Sequence, residues 1–199
     1  MTLLFKATLT AASLLCLNVF AGTNEVDSIT PQEVIEAALY GKTNTISKAL
    51  ASGFKVDSRD PDSRTALMFA AFNGQTGAAK LLIGAGADVN AQDRTGTSAL
   101  MFAASAPGGT ETVQLLIDAG AKVNITDSNE HFTALMWAAA EGQLESVKLL
   151  LKHGADAALK DIDGDKAENF AASKGHAAIV KLLQQAVPMK EKPTKEDAE

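Results

Sequence analysis

Met68, Met101 and Met136 stand at equivalent positions of a recurring stretch of the chain. Three thioethers so placed could ligate copper(I) or haem iron, yet soft-metal sites ordinarily recruit Cys or His as well. Methionine also fills irregular gaps, and a position that recurs at a fixed period is first a packing position. Asp161-Ile162-Asp163-Gly164-Asp165 opens like a calcium loop. Such a loop requires glycine sixth and a bidentate glutamate twelfth, where Lys166 and Ala172 stand. Gly84-Ala85-Gly86 follows a helical pattern and precedes a turn, whereas the dinucleotide fingerprint follows a strand and opens a helix. His131 is the only histidine outside the recurring pattern, and no Gly-x-Ser-x-Gly, His-Glu-x-x-His or Walker motif occurs. The residues therefore assign no catalytic group, no metal ligand and no cofactor, and the chain is not expected to be an enzyme.

Of the 199 residues, 46% are hydrophobic and 21% charged, enough apolar content to bury a core. Aromatics are 5%, and much of the apolar content is alanine, which suits closely stacked helices. With 18 basic and 24 acidic residues the formal charge is -6, which argues against binding nucleic acid through a basic surface. Residues 1–21, MTLLFKATLTAASLLCLNVFA, combine Lys6, an apolar run and Val19-Phe20-Ala21 before a predicted cleavage point, and are read as a cleaved signal peptide. Thr8, Thr10, Ser13 and Asn18 interrupt the run, which disfavours a membrane anchor. Cleavage removes Cys16, the one cysteine, so the mature chain forms no disulfide. It also removes Lys6, leaving 17 basic and 24 acidic residues, or -7. The expected location is the bacterial periplasm, without membrane attachment after cleavage.

The helices that position these residues come from a repeat. Ala70-Ala71-Phe72-Asn73-Gly74 lies 33 residues after Ala37-Ala38-Leu39-Tyr40-Gly41. Thr65-Ala66-Leu67-Met68 returns as Ser98-Ala99-Leu100-Met101 and Thr133-Ala134-Leu135-Met136. Gly84-Ala85-Gly86-Ala87-Asp88-Val89-Asn90 returns as Asp118-Ala119-Gly120-Ala121-Lys122-Val123-Asn124. Asp60, Asp93, Asp127 and Asp161 open successive units. A fixed period near 33 residues is the mark of a solenoid.

These motifs resemble the ankyrin-repeat family, whose unit reads roughly D-x-x-G-x-T-P-L-H-x-A-A-x-x-G-H-x-x-x-V-x-x-L-L-x-x-G-A-D-x-N. The resemblance implies an all-α solenoid of about five helix-turn-helix units with hairpin loops. The repeat domain spans residues 22–186, in units of about 28–59, 60–92, 93–126, 127–160 and 161–186, and residues 187–199 are read as a disordered polar tail. Thr65, Ser98 and Thr133 are expected to cap the first helices, the alanine pairs to let them approach, and Leu81-Leu82, Leu115-Leu116, Leu149-Leu150 and Leu182-Leu183 to form the inward face of the second helices. The family's proline is Ala66, Ala99 and Ala134, and its unit-tying histidine is Met68, Met101 and Met136. Packing is expected to replace those ties. Glu168 replaces a buried leucine, so the last unit is expected to be a polar cap, as is the first.

In the family, hairpin tips and first-helix ends line a concave face that grips a protein. By position the resemblance selects Tyr40, Arg64, Phe72, Asn73, Arg94, His131, Phe132 and Glu141 as partner-binding residues. Tyr40, Phe72 and Phe132 are expected to face solvent as anchors. Trp137 shares a hydrophobic position with Phe69, Phe102 and Phe170 and is expected in the core. The implied function is non-catalytic: a free monomer that binds one folded periplasmic protein. The sharpest form is an inhibitor or immunity protein occluding an enzyme such as a cell-wall hydrolase. Exported ankyrin proteins also resemble accessory factors for a periplasmic catalase or its haem supply; a haem or copper carrier using the methionines and a hydrolase whose site would involve His131 and Glu141 are further alternatives.

Overall fold

Alanine-rich first helices and leucine-bearing second helices alternate along the chain in the computed structural model, which describes residues 29–186. The proposed signal peptide and tail lie outside the described residues. Ten helices pair into five units: α1 (Pro31–Leu39) with α2 (Thr43–Ala51), α3 (Ala66–Phe72) with α4 (Thr76–Gly84), α5 (Ala99–Ser105) with α6 (Thr110–Asp118), α7 (Ala134–Ala140) with α8 (Leu144–Lys152), and α9 (Ala167–Ser173) with α10 (Ala177–Ala186). Among the described residues there is no strand; Arg59 with Thr65 and Gln92 with Ser98 form isolated antiparallel bridges at two hairpins. First helices pack in one row and second helices in another, the all-α repeat solenoid expected from the sequence.

Small side chains set the spacing of the first row. Ala70-Ala71, Ala103-Ala104 and Ala138-Ala139 are wholly buried between neighbouring helices. In the second helices only one leucine of each pair is fully enclosed: Leu82, Leu116, Leu150 and Leu183 are buried, while Leu81, Leu115, Leu149 and Leu182 are half-buried. Adjacent helical residues point about 100° apart, so a single stripe cannot enclose both. Each buried leucine contributes roughly 2 kcal/mol, and only a neighbouring unit can enclose it.

The methionines have a local role that sequence reading did not supply. Ser98 and Thr133 accept from the backbone N–H of Met101 and Met136, at 3.4 and 3.2 Å, as expected of caps. In return the backbone N–H groups of Thr65 and Thr133 donate to Met68 Sδ and Met136 Sδ, at 3.4 and 3.5 Å. The sulfur thus takes the place that a glutamate holds in an ordinary capping box. Thr65 departs from the expected cap, because its buried hydroxyl oxygen has no hydrogen-bond partner among the described residues.

Asparagines join the units at the far end of the second helices. Asn124 Nδ2 donates to the Gly154 carbonyl and its Oδ1 accepts from Asp156 N–H, both at 2.9 Å. Asn90 makes the same pair with Gly120 and Lys122. Removing both bonds by Asn124→Ala is expected to lower the unfolding free energy by about 1 kcal/mol, read from the urea midpoint; an unchanged midpoint would show that this tie adds nothing.

The first helix carries a conventional capping box. Thr30 N–H donates to Glu33 Oε2 at 2.7 Å, Thr30 Oγ1 donates to the same oxygen at 2.9 Å, and Glu33 N–H donates to Thr30 Oγ1 at 3.2 Å. The backbone bond, then the hydroxyl bond, hold the Glu33 carboxyl below its ordinary value, against a small opposing effect of burial. A depressed folded value means the stabilisation is complete above the ordinary glutamate range and disappears as pH falls through the folded value. The protection of the amides at the start of α1, relative to their intrinsic exchange at each pH, should therefore fall on acidification, and Glu33→Gln should remove that change in protection.

At the other end, the open side of the last unit mixes polar and small apolar residues, with Glu168 and Gln184 where the inner units carry leucine or isoleucine. Ala172, whose counterparts Ala71, Ala104 and Ala139 are buried, is exposed and lines a shallow depression with Gly175, Ala177, Val180, Lys181 and Gln184. Glu168 is half-buried and accepts from Gln184 Nε2 at 2.6 Å.

Candidate partner-binding face

Hairpins and first-helix ends place the selected residues in two rows. One row comprises Arg64, Arg94, His131 and Phe132, which precede the first helices; the other comprises Tyr40, Phe72, Asn73 and Glu141, which end them. A seven-residue helix between the rows separates them by about 10 Å.

Among the helix-end residues, Tyr40 is 58% exposed and Phe72 40% exposed. Lys42 Nζ lies 5.7 Å over the Tyr40 ring, while Phe72 meets the half-buried Phe102 edge to face at 5.9 Å. Asn73 is exposed, but Nδ2 donates to the Leu39 carbonyl at 2.9 Å and so ties the second unit to the first. Glu141 is exposed and makes no ion pair among the described residues.

The hairpin row is more tightly held. Arg64 pairs with Asp60 at 2.8 Å and Asp62 at 3.0 Å, with its guanidinium 4.9 Å over the Phe69 ring. Arg94 reaches back to the preceding hairpin, pairing with Asp62 at 3.4 Å, donating from its backbone to Asp62 O at 2.9 Å and from its guanidinium to the Pro61 carbonyl. His131 is exposed at φ 59°, the position that Gly96 and Gly164 hold at φ 80° and 88°. Histidine tolerates the left-handed region better than most residues, and one extra residue in this hairpin puts it there. The Asp127 N–H consequently bonds to Phe132 O, five positions on, rather than the four of the other hairpins.

Phe132 departs from the expectation of a solvent-facing ring. It is half-buried, 5.9 Å from Trp137 and 4.9 Å from Phe170, edge to face with both. The enlarged hairpin carries the ring onto the first helices, where apolar neighbours remove it from water. The expectation of Trp137 in the core is corrected in the opposite sense: Trp137, Phe102 and Phe170 are half-buried, and only Phe69, beneath Arg64, is enclosed at 6% exposure. These four rings form a middle row between hairpins and helix ends. Their shared repeat position was the available signal, but periodicity does not distinguish core from the floor of an open face.

Carboxylates dominate the hairpin end of the fourth and fifth units. Glu130, Asp163 and Asp165 are exposed and make no ion pair among the described residues. The face therefore offers rings flanked by acids, and bound guanidinium groups only at the second and third units. Met68, Met101 and Met136 are at most 2% exposed and lie away from it. Among the described residues, no helix is long and apolar enough to cross a membrane.

A family profile described as Ankyrin repeats (3 copies) matches residues 34–127 and again residues 100–195. No curated protein matches the chain.

Proposed function

Since the chain belongs to the ankyrin-repeat family, a family of protein-binding modules, we propose that it is an exported inhibitor that uses its hairpin face to occlude a periplasmic enzyme such as a cell-wall hydrolase. The observation that carries the reading is the combination of exposed Tyr40 and Phe72 with a row of half-buried rings on rigid helices. Large apolar side chains held in fixed positions bind with little loss of side-chain freedom, which is how a few anchors dominate an interface. Five units offer a surface suited to one folded partner, at about 800 Å² per side. Export rests on the composition of residues 1–21.

A carrier of haem or copper is disfavoured by where the thioethers lie, since Met68 and Met136 are buried with their sulfurs facing capping amides. The test is capture from a periplasmic extract with tagged full-length chain, allowing export and processing, followed by the rate of the captured enzyme with added protein. One hydrolase recovered in stoichiometric amount and slowed by the pure protein is the expected result. Capture of a hydrolase whose rate is unaffected ends the inhibitor reading, and capture of a catalase or haem protein replaces it with the accessory one.

A further inference from the structure

We propose that the fifth-unit hairpin receives an arginine side chain from the protein partner, with Asp161 and Asp163, the counterparts of Asp60 and Asp62, pairing its guanidinium over the ring of Phe170 and Asp165 adding negative charge beside them. This rests on the reading of the face as protein-binding. The second unit displays the same arrangement filled from within: Arg64 lies over Phe69, paired with Asp60 and Asp62, and leaves that ring 6% exposed.

Counted from the opening aspartate, the fifth unit repeats this frame residue for residue. Asp161 stands for Asp60, Asp163 for Asp62 and Phe170 for Phe69. The backbone agrees: Asp60 N–H bonds to Arg64 O at 3.0 Å and Asp161 N–H to Asp165 O at 2.9 Å. The aspartate side chains likewise accept from Arg64 N–H at 2.8 Å and from Asp165 N–H at 2.7 Å. The change is at the cation's own position, where Asp165 replaces Arg64. Ring and carboxylates are retained, the cation is lost and a further negative charge is gained.

The consequences are visible locally. Asp163 and Asp165 are exposed without an ion pair among the described residues, and Phe170 is half-buried. The neighbouring Lys166 makes no ion pair with either aspartate. Ile162 N–H donates to Glu130 O at 3.1 Å, which sets the exposed Glu130 hairpin alongside and adds to the negative field. The third unit offers no such field, because Thr95 and Thr97 occupy the corresponding positions and hydrogen-bond to each other at 2.9 Å. Arginine fits better than lysine, since a planar guanidinium can stack on the ring while its fork pairs with carboxylates.

The test uses full-length chain and a hexaarginine peptide as probe, followed by amide NMR and by the fluorescence of Trp137, the one tryptophan, which meets Phe132 beside Phe170. Saturable shifts confined to residues 161–170 are expected, weaker with hexalysine. Asp163→Asn with Asp165→Asn should weaken binding about tenfold. Asp165→Arg should restore the second-unit arrangement, abolish the peptide shifts at these amides and leave Tm unlowered. Equal binding of hexalysine, shifts centred on other carboxylates, or undiminished binding by Asp165→Arg would each overturn the proposal. A captured partner that still binds Asp165→Arg but not a Tyr40 and Phe72 variant would sink this inference while sparing the binding face. The absence of any captured partner would instead count against the functional reading.

Discussion

Tyr40→Glu combined with Phe72→Glu is expected to abolish capture of the partner while leaving Tm within about 2 °C of the native chain. The rings are 58% and 40% exposed, so a carboxylate at either position remains hydrated in the free protein. In a complex the same carboxylate would be buried against the partner without a counter-charge, a cost of several kcal/mol at the centre of an interface. Phe132→Glu is the contrast. Its ring lies between Trp137 and Phe170, and charge there should cost about 2 kcal/mol of stability whether or not a partner exists. Thermal denaturation read beside capture separates the two. If the Tyr40 and Phe72 variant melts far below the native chain, those rings hold the fold and are not anchors. If it melts normally and still captures the partner, binding lies elsewhere.

The second large effect is at Gly109. A methyl group there would lie 2.1 Å from the Ala103 carbonyl oxygen and 3.1 Å from Ala106 Cβ. The residue cannot swing away freely, because its N–H bonds to Ala106 O at 3.0 Å and its carbonyl accepts from Val113 N–H at 2.8 Å. Gly109→Ala should therefore cost about 3 kcal/mol. Gly108 is the control: it has φ 72° with open space around it, so Gly108→Ala should cost only about 1 kcal/mol, from the left-handed backbone alone. Because each unit is stabilised by its neighbours, weakening the central one should also broaden the urea transition as the two halves uncouple. An unbroadened transition at the native midpoint would mean that the loop yields more easily than its hydrogen bonds imply.

Much of the fold was legible because repetition multiplies weak signals. One Thr-x-Leu-Met is ambiguous, but its return after 33 and 35 residues, with glycines and leucine pairs at constant offsets, leaves a stack of helix pairs as the arrangement that encloses them all. The extra residue in each of two turns was also countable. Pro107-Gly108-Gly109 gives four residues between α5 and α6 where α3 and α4 have three, and His131-Phe132 gives a hairpin one residue longer than the others.

What the sequence by itself determined, then, was the period, the helix pairs, the family and the two rows of the proposed binding face, since these depend on spacing along the chain. Only the tertiary structure decided how each side chain on that face is used. Phe72 and Phe132 are the same residue type on one face, yet one meets a single ring edge and stays open while the other is covered by two rings. Arg64 and Asp165 occupy the same repeat position, yet one covers a ring with a cation and the other leaves a negative site beside its counterpart. The physical reason is that burial and charge pairing depend on what neighbouring units place within a few ångströms, and periodicity fixes a residue's position in its own unit without fixing those neighbours.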